Sequence, residues 1–430
     1  MPPAASRLGG SHDLVTQVDG FWSGRRRVRE DAFYNDVLSF HAQNDSDAGR
    51  FVKRSECALA GEARFLHCAN TMSTRWRLRF LTFILALMAP NLRAERAILV
   101  AGGGSSVTGA ATNCRLHAPF GIDFDRQGNM YVVEMAGGGR VLKVDRQGAL
   151  SVVAGTGEKG DSGDGGPALQ AQFNGMHSLA VGPGDDLFVA DTLNNRVRRI
   201  DVNTGRVFAF AGTGKNGFSG DDGPAAAAQF GAVYCVTFDA RRENLYLADL
   251  DNRRIRAVNL KTGIVTTVAG NGEKGVPQDG AEAIRAPLVD PRAVALDAQG
   301  NLYILERGGH ALRRVDRNGK IRTVAGTGGK GFNRDGGEAL RTSFSEPKHL
   351  CVDASDNVII ADTDNHVICK YLPKASRIVP VAGSGKSGAG GAGGPAAGVE
   401  LNQPHGVCVD RSGTLYIADS LNNRVLKIGP

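Results

Sequence analysis

The sequence predicts an all-β fold, a six-bladed β-propeller of four-stranded blades in which the N-terminal strand completes the last blade. Three observations predict it: a short signature repeated six times, four β-rich runs between its copies, and a final copy that stops one strand early. The signature is Ala-Gly preceded by Val or Phe, at Val100, Val153, Phe210, Val268, Val324 and Val381, with intervals of 53, 57, 58, 56 and 57 residues. A unit of this length cannot bury its apolar residues alone, so neighbouring copies must stack and share a core.

The second interval shows the grammar most clearly. It opens with Met176-His177-Ser178, continues through the apolar run Leu179-Ala180-Val181 and a Gly/Asp turn, and reaches Leu187-Phe188-Val189-Ala190-Asp191. After Thr192-Leu193-Asn194-Asn195 come Arg196 to Asp201, a turn at Asn203-Thr204-Gly205, and Arg206 to Phe210 before the Ala-Gly. Gly, Asn and Asp supply the positive φ or side-chain hydrogen bonds that tight turns need, so these are four strands and one propeller blade. A helix-containing solenoid is the competing repeat architecture, and no segment carries helical periodicity. Copies beginning near Pro119, His177, Tyr234, Pro291, Pro347 and Pro404 give six blades.

The pattern Pro-x-Gly-Val-x-Val-Asp, Leu-Tyr-Ile-Ala-Asp, Asn-Asn-Arg-Val resembles the NHL repeat. It is clearest at Pro404 to Asp410, Leu415 to Asp419 and Asn422 to Val425, and the resemblance spans residues 97–430. The last copy ends at Lys427-Ile428-Gly429-Pro430 without a fourth strand, whereas Ala97 to Gly102 has no blade in front of it. The N-terminal strand is therefore expected to close the ring, removing strand edges that invite aggregation.

The repeat absorbs about 334 of the 430 residues. The formal net charge is +7; residues 1–95 hold 13 Lys/Arg and 10 Asp/Glu, leaving 38 against 34 for the propeller. So small a surplus over so large a surface does not call for a nucleic-acid or membrane partner. Residues 1–71 show no apolar period and are expected to be unstructured or upstream of the true start. Residues 72–95 read as a signal peptide: a basic stretch from Met72 to Arg79, the apolar run Phe80 to Ala89 and a polar end after Pro90, too short to span a bilayer comfortably. Export to the periplasm or the extracellular space follows, with no membrane span in the mature protein. The seven cysteines form no disulfide framework; Cys114, Cys235, Cys351, Cys369 and Cys408 fall in the propeller, and Cys351 and Cys408, on innermost strands of adjacent blades, read as small buried residues.

The carboxylates Glu134, Asp191, Asp249, Glu306, Asp362 and Asp419 recur blade after blade, which identifies them as turn fasteners. The Gly-Asp-Gly-Gly-Pro-Ala segments at Gly163 to Ala168 and Gly220 to Ala225 lack phosphate-loop and calcium-loop spacing and read as connectors. What varies is the residue entering each innermost strand: Phe120, His177, Tyr234, Arg292, Lys348 and His405. This position lies at one mouth of the central channel, where propeller ligands commonly bind, and it is expected to be solvated. His177, Tyr234, Arg292, Lys348 and His405 are accordingly the candidate site, chemically suited to an anionic or polyhydroxylated ligand.

Met176 to Ala180 also resembles the metal-binding segment of the peptide-amidating lyases, a resemblance that implies zinc held by histidines on alternate blades. Here those positions are His177, Arg292 and His405, and an arginine cannot ligate zinc; His349 stands one residue further along its strand. No metal or other cofactor is expected. The primary reading is an exported binding or interaction module for a protein, a peptide or a small ligand; the alternative is an amidating-lyase-like or lactonase-like hydrolase or lyase at the same mouth. An RNA-binding propeller would need a more concentrated basic face.

Overall fold

The computed structural model describes residues 95–429 except Gly138 and Arg334. The readings of residues 1–71 and, Glu95 apart, of residues 72–95 lie outside that range. Six antiparallel sheets follow one another along the chain. Their innermost strands are Pro119–Phe124, Ser178–Val181, Val233–Phe238, Pro291–Leu296, His349–Val352 and Pro404–Val409. In the sixth sheet Arg96–Gly102 pairs along Arg424–Gly429, with Leu99 opposite Leu426, so the N-terminal strand supplies the outer strand of the last blade as expected.

The six-fold signature has a structural cause. In each blade one residue is skipped where the outer strand pairs with the third, and that residue is the Val or Phe of the signature: Val100, Val153, Phe210, Val268, Val324 and Val381. The bulge bends the outer strand. The following alanine is sealed into the core, at 0% exposure for Ala101, Ala154, Ala211, Ala269 and Ala325. The glycine after it turns the chain at positive φ, and a Cβ on Gly102, for example, would strike the backbone of Asn423 and Arg424.

The core lies between blades rather than within them. Ala101 and Val425 of the last blade pack with Ile122, Val132 and Leu142 of the first, so apolar packing runs across the seam. The Gly-Asp connectors run along the outer edge of the next blade. Gly109–Ala110, Gly223–Pro224 and Gly337–Glu338 each add a two-residue fifth strand there, and Pro167, Glu282 and Pro395 make single bridges at the equivalent places. The connector's Asp164 meets the fully buried guanidinium of Arg198, and Asp221 meets that of Arg256, each arginine also donating to two connector carbonyls.

The recurring carboxylates are turn fasteners and also pin the loop that leads into their own blade. Asp191 accepts the Asn174 N–H at 2.8 Å and the side-chain amide of Asn194, and Asp419 does the same with Asn402 and Asn422 while pairing with Arg424 at 2.7 Å. The second Asn of each Asn-Asn pair, Asn195 and Asn423, sits in the left-handed region at φ 52° and 51°, where asparagine is tolerated better than most residues.

Candidate functional site

All six entry residues converge on the propeller axis, and five of them touch in a chain. Starting from Phe120, whose ring stacks on His405 at 3.8 Å between centroids, the aromatic contacts pass to His177 at 5.0 Å and on to Tyr234 at 4.6 Å. The Arg292 guanidinium then lies 3.7 Å from the Tyr234 ring centroid. Lys348 fills the remaining place and donates to Gln403 Oε1 at 3.4 Å. The ring is thus divided into an aromatic arc of His405, Phe120, His177 and Tyr234 and a cationic arc of Arg292 and Lys348.

This ring is not the solvated rim expected from the sequence. Phe120, Arg292 and His405 are only 3%, 5% and 8% exposed, and the other three are half-buried. Bulky side chains on short entry segments have nowhere to go but into each other, since six strands meet at the axis. The close approach is visible at Gly406, where a Cβ would collide with the carbonyl oxygen of Phe120, and at Gly121, where it would lie 2.7 Å from Ser178 Cα. The glycine of each Pro-x-Gly thus admits the neighbouring strand rather than serving a turn.

Burial sets the electrostatics. It pulls the imidazoles of His177 and His405 well below the usual histidine range, with Arg292 and Lys348 pushing the same way, so both are neutral at pH 7. Burial lowers Arg292 to about 10, which leaves it charged. Lys348 is lowered as well, again chiefly by burial, with Asp364 opposing. Both carboxylates that act on Lys348 are paired with other cations: Asp364 with Lys330 at 3.1 Å and Glu346 with Arg307 at 3.6 Å. Among the described residues no carboxylate forms a salt bridge with Arg292.

Behind the ring a chamber of about 350 Å³ follows the axis towards the opposite mouth, where the turn at Asp239, Ala240 and Arg242 borders it. Its middle belt is Asp123, Ala180, Thr237, Ala295, Cys351 and Cys408, one residue from each innermost strand. Asp123 accepts the N–H groups of Val181 and Phe124 at 2.7 Å each, tying blade 1 to blade 2. His349 lines this chamber and accepts the Val407 N–H at 3.4 Å; it is distinct from the ring, as its position one residue along the strand implied. Sequence reasoning did not find this chamber, although Asp123 in a series otherwise of Ala, Thr and Cys was a visible signal. Among the described residues no group of three His, Cys, Asp or Glu is placed to hold a metal ion. The five cysteines there are free thiols.

The architecture defines a closed six-bladed β-propeller whose axis is plugged at one end by an aromatic and cationic ring. A family model for the teneurin NHL domain matches residues 234–334, and one for the NHL repeat matches residues 401–428. The chain is 24% identical over 336 residues to NHL repeat-containing protein 2 of Bos taurus, covering 71% of this chain and 46% of that protein. It is 27% identical over 267 residues to the chloroplastic protein Suppressor of Quenching 1 of Arabidopsis thaliana, covering 59% of this chain and 25% of that one. Against Teneurin-1 of Mus musculus it is 27% identical over 237 residues, 51% of this chain and 8% of the relative. The matched regions therefore span no more than about half of these relatives' lengths. Two solved structures from Bacteroides thetaiotaomicron share the fold: a protein of unknown function at TM-score 0.59 and 16% identity, and an auxiliary nutrient binding protein at 0.56 and 14%, each covering 78% of this chain and 76% of the other. The chain is an NHL-repeat β-propeller.

Proposed function

We propose that the protein is an exported ligand-binding module that takes an anion on the ring of His177, Tyr234, Arg292, Lys348 and His405. The observation that carries this reading is Arg292: a guanidinium 5% exposed, charged at neutral pH, with no carboxylate in salt-bridge contact among the described residues. Burying a charge without a counter-charge costs several kcal/mol, and a bound anion would supply the missing partner. Lys348 adds a second cation, and the Tyr234 ring lies against the guanidinium at cation–π distance. The ring contains neither a carboxylate nor a hydroxyl or thiol nucleophile of the Ser or Cys type, so binding is favoured over hydrolysis.

The test is a titration calorimetry panel of small anions on the purified protein and on Arg292→Met. Anion binding by the parent that disappears in the variant supports the reading; anion binding that survives in the variant moves the site away from the ring. The exported address rests on the layout of residues 72–95, and N-terminal sequencing of protein recovered outside the cytoplasm tests it, with an intact Met1 there counting against it.

A further inference from the structure

We infer that the axial chamber is a second binding site, for a small aliphatic amino acid whose ammonium meets Asp123 and whose carboxylate meets Arg242. It is separate from the ring and does not depend on the anion reading above.

The chamber offers the space. It holds about 350 Å³, at the small end of the range for ligand pockets, and Asp239, Ala240 and Arg242 border its mouth. Asp123, Thr237, Cys351 and Cys408 are half-buried although they lie on innermost strands, so their free surface is the chamber wall.

Two charges face this space. Asp123 accepts the Val181 N–H on one carboxylate oxygen and the Phe124 N–H on the other, at 2.7 Å each, and the Cys408 thiol lies 3.9 Å away. Among the described residues no cation forms a salt bridge with it. Burial raises its carboxyl, while the two N–H donors and the field of Arg242 favour the ionised form. Arg242 reaches from blade 3 to the Gly182 carbonyl at 3.1 Å. Asp123 of blade 1 and Arg242 of blade 3 thus hold neighbouring residues of blade 2, anchor points within about 7 Å of chain. The charges around them are matched: Asp239 accepts the Glu243 N–H and the Asn244 amide of its own turn, Asp185 pairs with Arg126 at 3.1 Å, and Asp353 pairs with Lys370 at 3.2 Å. His349, lowered to about 4 chiefly by burial, is neutral.

This placement selects the class. A simple amine satisfies Asp123 and is repelled by Arg242. A simple carboxylate has the reverse defect, and a neutral sugar leaves both charges unmatched. A zwitterion with its ammonium and carboxylate a few bonds apart meets both with charge-assisted hydrogen bonds. Phe238, Leu296, Val352 and Val409 line the same chamber, half-buried and apolar, which favours an aliphatic side chain over a polar one.

The experiment is calorimetric titration of the full chain with L-valine, isobutylamine and isovalerate, which share the branched alkyl group and differ in charge. L-Valine is expected to bind at least about tenfold more tightly than either, the worth of one hydrogen bond to a charged group. Arg242→Gln should weaken L-valine by about tenfold or more and leave isobutylamine no weaker. Asp123→Asn should weaken L-valine to the same degree; should that variant fail to fold, Arg242→Gln decides. A readout that needs no variant is the nuclear Overhauser effect from the methyl groups of bound L-valine, expected at the β-protons of Cys351 and Cys408. Absence of L-valine binding, equal binding of isobutylamine or isovalerate, or full affinity in Arg242→Gln overturns the inference. Overhauser contacts to Phe120 and Tyr234 in place of the two cysteines overturn it as well, by seating the amino acid on the ring.

Discussion

The Arg292 guanidinium stacks on the Tyr234 ring at 3.7 Å while 95% of its surface is withdrawn from water, and among the described residues no acid pairs with it. Structure maintained at this electrostatic cost is expected where binding, not stability, is served. Arg292→Met should therefore match the parent in urea unfolding or exceed it by about 1 kcal/mol in the absence of ligand, because the desolvated charge is gone and the methionine fills similar volume. A loss above about 2 kcal/mol would make Arg292 a structural residue.

Gly406 is where the innermost strand of blade 6 meets the Phe120 carbonyl of blade 1. Gly406→Ala should cost about 1–3 kcal/mol, the range for forced overpacking, and should part the His405–Phe120 stack. Differential scanning calorimetry of the variant checks this, and an unchanged melt would mean that the two strands have room to separate.

Closure gives a larger effect. Removing the strand Arg96–Gly102 strips the outer ladder from Arg424–Gly429 and uncovers Ala418 and Val425, both at 0% exposure. A chain beginning after Gly102 should lose more than about 4 kcal/mol of stability and gain a tendency to aggregate through the bared edge. Equal stability of the two chains in urea titration would refute the idea that this strand holds the ring shut.

Most of this fold was legible because repetition exposes what each position must do. The Val-Ala-Gly signature could be found six times without knowing that it marks a bulge, a sealed alanine and a positive-φ glycine, since each of those constraints restricts residue type by itself. The carboxylates of the second strands were legible for the same reason. What repetition cannot reveal is how six different side chains settle at the axis. Nothing in the spacing told that Phe120 would bridge two histidines, or that Arg292 would be covered rather than open to solvent, because both depend on contacts between blades about 57 residues apart or more. The axial chamber was missed for a related cause: its small belt residues look like ordinary strand filler until they face one another.

Asp362 differs from Asp419 in one respect that has a pH consequence. Asp419 pairs with Arg424, but the matching position after Asp362 is Val367, so Asp362 keeps only the Ser345 N–H and the Asn365 amide. Burial raises its carboxyl to about 7, well above the usual carboxylate range. A group with a raised folded pKa binds more protons folded than unfolded, so its contribution favours the fold at low pH and is lost as pH rises from about 4 to about 7. Asp362→Asn should flatten that part of the stability profile. Urea unfolding of parent and variant at pH 5 and pH 8 decides: a parent-to-variant difference that is the same at both values would show that Asp362 does not titrate in this window.

The thiols yield the last expectation. Cys114, Cys235 and Cys369 are buried, and Cys351 and Cys408 face the narrow axial chamber; all five are free. Burial pushes Cys235 up to about 11 and raises Cys114, Cys351, Cys369 and Cys408 above the ordinary thiol range, with Asp123 adding to the effect at Cys408. Only the thiolate attacks, so these groups should be inert towards alkylation while the propeller stays folded. A pulse of N-ethylmaleimide at pH 7.5, mapped by mass spectrometry, should leave the five unmodified in the native protein and modify all of them in urea. Rapid native labelling of Cys351 and Cys408 alone would instead mean that reagents enter the chamber from its open mouth and that its thiols are held as reactive groups, not as small packing residues.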